Sequence, residues 1–169
     1  MLRQATMLVR HLLSIALLPF VVVVLVPRWL LASDAPDVAI PSDLIVWGRI
    51  AGALLFAAGF ALFLWCVLLF ARVGRGTLAP WDPTKRLVVA GPYRHVRNPM
   101  ITAVGTMLGG EALFFHSARI GGWLLLFVAI NHTYFMLLEE PGLVARFGDE
   151  YERYRAAVPR WLPRRRGWP

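Results

Sequence analysis

Long apolar blocks alternate with short polar connections along the chain. Each block is long enough, or nearly long enough, to cross a bilayer as a helix, which takes about 20 residues. The four blocks cover residues 12–31, 44–70, 100–115 and 120–138. Pro27 and Arg28 interrupt the first block late, and only four residues separate the last two. The pattern predicts an all-α polytopic membrane protein of about four transmembrane helices, the last two forming a tight hairpin.

Small residues in the second and third blocks predict how the helices pack. Gly48 and Gly52 have the spacing of a helix face that permits close contact, as do Gly105 and Gly109. We therefore expect the helices to pack through small residues.

The polar stretches divide this single membrane domain (1–169) into parts. We expect two N-terminal spans (1–72), a polar loop (73–99), the helical hairpin (100–138) and a polar tail (139–169).

The composition agrees with a membrane class. Hydrophobic residues make up 58% and charged residues 17% of the 169 residues, which is too little polar surface for a water-soluble domain of this size. The formal net charge is +8, but the basic residues flank apolar segments and form no stripe on one folded face, so we expect the lipid bilayer and no nucleic acid as partner. The single cysteine, Cys66, allows no disulfide frame. No metal is expected, since no cluster has metal-ligand spacing.

The charges of the connections predict the orientation. The connection 33–43 contains three aspartates and no lysine or arginine, whereas the loop and the tail are rich in arginine. Positive segments stay cytoplasmic. We therefore expect a plasma membrane of bacterial inner-membrane type, with both termini, the loop and the tail on its cytoplasmic side. The alternative is a cleavable signal peptide in the first block, where Arg3 and Arg10 precede the apolar run. That run is longer than usual, and no A-x-A site follows it.

The end of the loop has features of a binding segment. Gly91-Pro92 predicts a turn, and aromatic and cationic side chains such as Tyr93 and Arg97 lie beside it. Pro99 suits the first turn of the third helix, where free backbone N–H groups can meet anionic or polar ligand atoms. A loop that only anchors the protein through snorkelling cations remains the alternative.

Two adjacent acids, Glu139 and Glu140, follow the fourth block directly. An anionic leaflet and the C-terminal end of a helix both disfavour negative charge. We therefore expect a counter-charge, either a basic residue of the loop or a cationic ligand, and simple salt bridging remains open. Further along, Phe147, Tyr151 and Tyr154 form an aromatic face that can pack on the membrane or on the loop.

Two polar residues inside apolar blocks are candidates for chemistry. His132 lies seven residues before Glu139, about two turns, so both can face the same side. It can orient or deprotonate a substrate, and a packed histidine bonded to a neighbouring helix is the alternative. Glu111 is either a substrate contact or an interfacial helix end.

Two motifs flank the predicted hairpin. They are GPYRHVRNPM at 91–100 and the stretch from Glu139-Glu140 to Tyr154, which is followed by Val158-Pro159. They resemble the G-P-Y-x-x-x-R-H-P segment and the C-terminal signature of the isoprenylcysteine carboxyl methyltransferase family, which is similar to the phospholipid N-methyltransferases. The resemblance covers about residues 85–163.

This resemblance implies a membrane methyltransferase in which the loop and a C-terminal cytoplasmic helix cover a pocket for S-adenosylmethionine. It implies methylation of a lipophilic or small acceptor (a carboxylate, thiol or amine), with an O-methyltransferase as the first expectation. The cofactor contacts that it implies are Leu87, Val88, Tyr93, Arg97, Asn98, Pro99, Met100, Ile101, Glu139 and Glu140.

The chain departs from the family pattern at several positions. Asn98 replaces a histidine and cannot titrate, which excludes a general base there, and Ile101 replaces a tyrosine. The stretch 131–138 lacks the arginine with which prenylcysteine enzymes hold a substrate carboxylate, which argues against prenylcysteine. Two other classes stay open: an NADPH-dependent membrane reductase of the steroid-reductase type, and a non-catalytic membrane protein that retains the fold.

Overall fold

Every regular element that the structure describes is a helix. The computed structural model describes residues 18–33, 41–69, 72 and 87–169. Residues 12–17 of the predicted first span and 73–86 of the predicted loop lie outside this description. The all-α prediction is confirmed for the described part. Its helices are α1 (Leu18–Ala32), α2 (Ser42–Leu69), α3 (Pro99–Phe115), α4 (Ala118–Phe147) and α5 (Asp149–Ala157), with a 3₁₀ turn at Gly91–Arg94.

Two of these helices, α2 and α4, are long and apolar enough to cross a membrane. The described parts of α1 and α3 are shorter apolar helices, so a total of four spans stays a prediction. Large apolar side chains are widely exposed along α2, among them Trp47, Leu54 and Leu68. A water-soluble protein rarely exposes so long an apolar surface. The apolar helices indicate a membrane protein.

Helix α1 passes through Pro27 and Arg28 to Ala32, so the interruption of the apolar pattern there does not end the helix. A π turn at Val21–Leu25 lies just before the proline. Such a turn accommodates a residue that lacks an N–H and whose ring clashes with the preceding turn. The indole N–H of Trp123 in α4 donates to the backbone oxygen of Val22, inside this π turn, at 3.0 Å. The irregular turn therefore also provides a contact between α1 and α4.

Close backbone contact joins α2 to α3. A Cβ added at Gly52 would lie 2.5 Å from the carbonyl oxygen of Gly110, and one at Gly59 would lie 2.8 Å from a backbone oxygen of α3. The predicted role of Gly52 is therefore confirmed. Gly105 and Gly109, by contrast, meet only leucine side chains at 3.5 Å or more, so the close face of α3 is the one that contains Gly110.

The predicted tight hairpin between α3 and α4 is confirmed. Its turn contains His116 in the left-handed region (φ 54°) and Ser117, whose hydroxyl accepts the N–H of Ile120 at 3.3 Å. A serine that accepts an N–H of the first turn is a standard helix N-cap. The four-residue separation in sequence is thus enough to reverse the chain.

Helix α4 does not end at Leu138 but continues through Pro141 to Phe147. A π turn at Phe135–Glu139 precedes this proline, as in α1. The two acids therefore lie within a helix, and the expectation that they lie at its C-terminus is wrong. An additional residue in the helix rotates everything beyond it by about 100° relative to a regular α-helix. This rotation shifts the residue aligned with His132 from Glu139 toward Glu140.

Candidate functional site

Residues 87–98 lie between the end of α2 and the tail. On one side, Val88 and Tyr93 are buried together with Cys66 of α2. On the other side, Leu87 and Val89 pack against a second cluster of three buried side chains. That cluster consists of Tyr151, Tyr154 and Val158, so the aromatic face of the tail packs on the loop.

Backbone hydrogen bonds join this loop segment to the end of the chain. They run between residues more than sixty positions apart and anchor the loop at three points. The bonds are from Arg97 N–H to Pro159 O at 2.9 Å, from Arg164 N–H to His95 O at 3.0 Å and from Trp168 N–H to Arg94 O at 2.9 Å. The last residues of the chain therefore form a strap over the loop, which we call the C-terminal strap (residues 158–168).

Glu140 is held between the loop and the strap. It is 7% exposed and accepts two hydrogen bonds from Arg160, Nε to Oε1 at 2.8 Å and Nη2 to Oε2 at 3.0 Å. Arg97 Nη1 donates to the same Oε1 at 2.8 Å. Bidentate arginine–carboxylate pairs are among the stronger hydrogen bonds in proteins. Of the two counter-charges expected for the acids, a basic residue of the loop is therefore present at Glu140, and the strap supplies a second one.

We call the cluster of Glu140, Arg97 and Arg160 the polar centre. Two tyrosines of α5 lie next to it. The Tyr154 hydroxyl donates to the backbone oxygen of Tyr93 at 2.6 Å, in a buried position. Burial raises the pKa of Tyr151 above its ordinary value, and the negative charge of Glu140 raises it further. Burial likewise raises the pKa of Tyr154, so both hydroxyls stay protonated at neutral pH and act as hydrogen-bond donors.

Three polar groups beside this centre have no hydrogen-bond partner among the described residues. Glu139 is half-buried and forms no hydrogen bond or close ion pair with any other described residue, although the charge of Arg146 attracts it. Among the described residues, Arg97 Nε and Asn98 Nδ2 are buried donors that also have none. Buried polar atoms are normally paired, so unpaired ones require an explanation. The described residues near Glu140 therefore include one acid and two hydrogen-bond donors whose hydrogen-bonding capacity is not used within the described part of the protein.

The other predicted cofactor residues lie in apolar packing. Val88 and Pro99 are buried, and Met100 contacts the cluster around Cys66. Ile101 packs against the core between the membrane helices. Val88 lies in the loop, whereas Pro99, Met100 and Ile101 begin α3, and the contact of these residues with a cofactor stays a prediction. The same holds for Leu87 and for Tyr93, the pKa of which burial raises well above its ordinary value.

His132 lies on α4 beside the strap. The indole N–H of Trp161 donates to His132 Nδ1 at 3.0 Å, and the two ring centroids are 6.1 Å apart. The partner of the histidine is therefore a strap residue, which differs from the neighbouring membrane helix considered as an alternative. Its part in chemistry stays a prediction.

Glu111 is not brought to this centre. It lies twelve residues after Pro99, about 18 Å along α3, toward the hairpin turn. There it lines a groove of about 320 Å³ between α2 and α3, together with Gly52, Phe56 and Phe114. Its Oε2 atom is buried without a partner among the described residues. A substrate contact by Glu111 stays a prediction, at a position separate from the loop and strap.

Sequence reasoning missed Arg160 and Trp161. The only signal for them was their position directly after Val158-Pro159, at the end of the second motif. Neither residue type identifies its partner from sequence, since tail arginines also fit the general rule of positive cytoplasmic segments. Among the described residues, no group of three or more His, Cys, Asp or Glu side chains is placed to hold a metal ion.

Comparison with known proteins gives one match. The model of the family described as Phospholipid methyltransferase matches residues 47–150, which is more than half of the chain. The match includes most of α2, the loop, the hairpin and both acids, and it ends before the C-terminal strap. No curated protein and no solved structure matches the chain.

Proposed function

Because the chain belongs to the phospholipid methyltransferase family, we propose that it is a membrane enzyme that binds S-adenosylmethionine and methylates a lipophilic or small acceptor. The cofactor site lies between the loop and the C-terminal strap. Proteins of this family are methyltransferases, which agrees with the resemblance of the two sequence motifs. The S-adenosylmethionine site, the acceptor and the orientation of the site toward the cytoplasm are parts of the proposal.

The observation that carries the proposal is that Glu139, Arg97 Nε and Asn98 Nδ2 have no hydrogen-bond partner in the part of the chain that the structure describes, whereas the adjacent Glu140 is fully paired. S-Adenosylmethionine has an ammonium and a sulfonium, a carboxylate, and ribose hydroxyls. Glu139 fits a positively charged group, and the two donors fit the carboxylate or hydroxyl oxygens. The residues present therefore fit the cofactor. When bound, it supplies a methyl group on a positively charged sulfur.

The protein itself positions the acceptor and the methyl group, and it excludes water from them. The loop, closed between α2 and the strap, holds its ligand in a fixed place, and reaction rates rise when acceptor and methyl group are held in near-attack geometry. The apolar helices beside the site allow a lipophilic acceptor to approach from the bilayer. Its methylated atom is an oxygen, sulfur or nitrogen, and we expect oxygen first.

Calorimetric titration of the purified full-length protein in detergent micelles tests the cofactor. We expect binding of S-adenosylmethionine and of its demethylated product. The Glu139→Gln variant should bind S-adenosylmethionine about 10- to 100-fold more weakly, since a hydrogen bond to a charged group contributes about 1.5–3 kcal/mol. The Glu152→Gln variant, changed on the exposed face of α5, is the matched control and should bind like the wild type.

Two results contradict the proposal. One is the absence of any binding of S-adenosylmethionine by a folded wild-type protein. The other is unchanged binding by Glu139→Gln. Quenching of tryptophan fluorescence by NADPH, without a response to S-adenosylmethionine, would instead indicate a reductase. Incubation of membranes with cofactor labelled on its methyl group then identifies the acceptor, because the label moves to it.

A further inference from the structure

The hydrogen bond between Trp161 and His132 determines which nitrogen of the histidine carries a proton. An indole N–H is a donor only, so His132 Nδ1 must be the acceptor of the bond observed at 3.0 Å. A neutral imidazole carries one proton, and that proton is then on Nε2. The ring is held with a donor, Nε2–H, on the side opposite to Trp161.

Several contacts hold Trp161 in place. Phe135 packs against its ring edge to face, with centroids 6.2 Å apart and an interplanar angle of 73°. The preceding residue, Arg160, is fixed by its bidentate pair with Glu140. Two adjacent strap residues thus contact His132 and Glu140, which lie eight residues apart on α4. The π turn of α4 brings these two positions onto the same side of the helix.

Among the described residues, the ring of His132 has one polar contact, the one from Trp161, and its Nε2 is not one of the buried atoms without a partner. No described residue therefore occupies Nε2–H, which can donate to a ligand. The nitrogen that could accept a proton, Nδ1, is already occupied by the indole N–H. Protonation of Nδ1 would place two N–H groups against each other, so the geometry opposes action of this histidine as a base.

We propose that Trp161 is a positioning residue that fixes His132 as a hydrogen-bond donor toward the methyl acceptor. This inference depends on the proposed methyltransferase function and extends it to a role for His132. Through Nε2–H, the histidine binds an oxygen or sulfur of the acceptor and orients it, and it removes no proton. Trp161 lies in the C-terminal strap, beyond the residues that match the family model.

The acceptor class follows from this role. A nucleophile that reaches the site as a carboxylate or thiolate has no proton to lose. Its lone pair forms the new bond to the methyl carbon while the carbon–sulfur bond breaks and its electron pair returns to the sulfur. We therefore expect a lipophilic carboxylate or thiolate. A lipid amine that depends on His132 for proton removal is the outcome that would contradict this expectation.

Nitrogen NMR of the histidine side chains tests the positioning without any cofactor. The His132 signals are assigned by their loss in the His132→Gln variant. In the wild type at neutral pH we expect a protonated Nε2 and an unprotonated Nδ1. In Trp161→Phe both tautomers should appear, because the donor to Nδ1 is gone. A protonated Nδ1 in the wild type, or unchanged signals in Trp161→Phe, would overturn the inference.

Activity of His132→Gln separates donor from base. A glutamine amide can donate a hydrogen bond as Nε2–H does but cannot take up a proton. With radiolabelled S-adenosylmethionine and a membrane lipid extract, His132→Gln should stay within about tenfold of the wild type, and His132→Leu should lose more. A general base contributes about 10²- to 10⁴-fold. A loss of that size in His132→Gln would therefore refute the donor role.

The two tests fail independently. If the wild type binds no S-adenosylmethionine, the proposed function is wrong, while the NMR measurement still decides whether Trp161 fixes the tautomer of His132. If the cofactor binds and the tautomer is not fixed, the methyltransferase function stands and the role of Trp161 is wrong.

Discussion

The two ends of the helical hairpin each contain a buried or half-buried acid, in opposite surroundings. At the end with the loop and the strap, Glu140 is paired with Arg97 and Arg160. At the turn end, Glu111 lies in an apolar groove, and its Oε2 has no partner among the described residues. The loop end is assembled by charge pairs, whereas the turn end is assembled by close backbone contact at Gly52.

This difference separates acids that stabilise the fold from acids available to a ligand. A buried charge is tolerated when paired and hydrogen-bonded, and it is costly alone. Glu140 satisfies that condition through Arg97 and Arg160, whereas no described residue forms a hydrogen bond or close ion pair with its neighbour Glu139. The same contrast therefore occurs between two consecutive residues. It agrees with the proposal that Glu140 stabilises the fold and that Glu139 contacts a ligand.

The largest expected effect is at Glu140. Glu140→Gln removes one charge from a buried network and leaves Arg97 and Arg160 without their counter-ion. We expect the free energy of unfolding to fall by about 3–5 kcal/mol, measured by denaturant unfolding in detergent micelles. Glu152→Gln, on the exposed face of α5, should change it by no more than about 0.5 kcal/mol. Equal stability of the two variants would show that the network contributes nothing.

At the turn end of the hairpin, a side chain added between the helices should destabilise the protein. In Gly52→Ala, the new methyl group would lie 2.5 Å from the carbonyl oxygen of Gly110, so the helices must separate. We expect a loss of about 1–3 kcal/mol in the same unfolding measurement. Gly122→Ala is the matched control, because a Cβ there meets nothing within 4 Å, and its effect should stay within about 1 kcal/mol. A harmless Gly52→Ala would contradict the close contact of α2 and α3.

A smaller effect is expected at Tyr154. Tyr154→Phe removes the hydroxyl that donates to the backbone oxygen of Tyr93 and leaves that buried oxygen without this donor. The free energy of unfolding should fall by about 1 kcal/mol. Tyr134→Phe, changed at an exposed position on α4, should leave it unchanged. If both variants behave alike, the contact between α5 and the loop does not stabilise the protein.

The smallest effect is expected at Glu111. Glu111→Gln removes a charge that no described residue compensates, so stability should stay constant or rise by up to about 1 kcal/mol. Binding of S-adenosylmethionine should stay at the wild-type value, because the groove is remote from the loop. A stability loss above about 2 kcal/mol would show that Glu111 has a partner in the membrane, and the contrast between the two ends would disappear.

The helices were predictable where the local pattern decides them. The apolar block at 44–70 became α2, and the hairpin turn lies within the four residues between the last two blocks, at His116 and Ser117. The passage of α4 through Pro141 was not predictable, because a proline ordinarily ends or kinks a helix, and a preceding π turn accommodates this one. A π turn has no sequence signature, so the continuation of α4 beyond the acids was missed.

The candidate site was predictable in its parts but not in its pairings. The loop, the acids and His132 followed from intramembrane polarity and from the two motifs. Arg160 and Trp161 were missed because one arginine in a basic tail and one tryptophan near a membrane are ordinary occurrences. Their partners lie 20 and 29 residues earlier in the chain, a separation at which spacing carries no information on contact.

An all-α chain with membrane helices, the tight hairpin and the family of the chain all follow from the residues alone, because apolar block length and motif order are local properties. The packed fold was needed to show which of two adjacent acids is paired, which nitrogen of His132 is occupied and that Glu111 lies apart. The physical reason is that hydrogen bonds and ion pairs depend on distances and directions of a few ångströms between remote segments. Those distances arise only when the strap, the loop and α4 pack together.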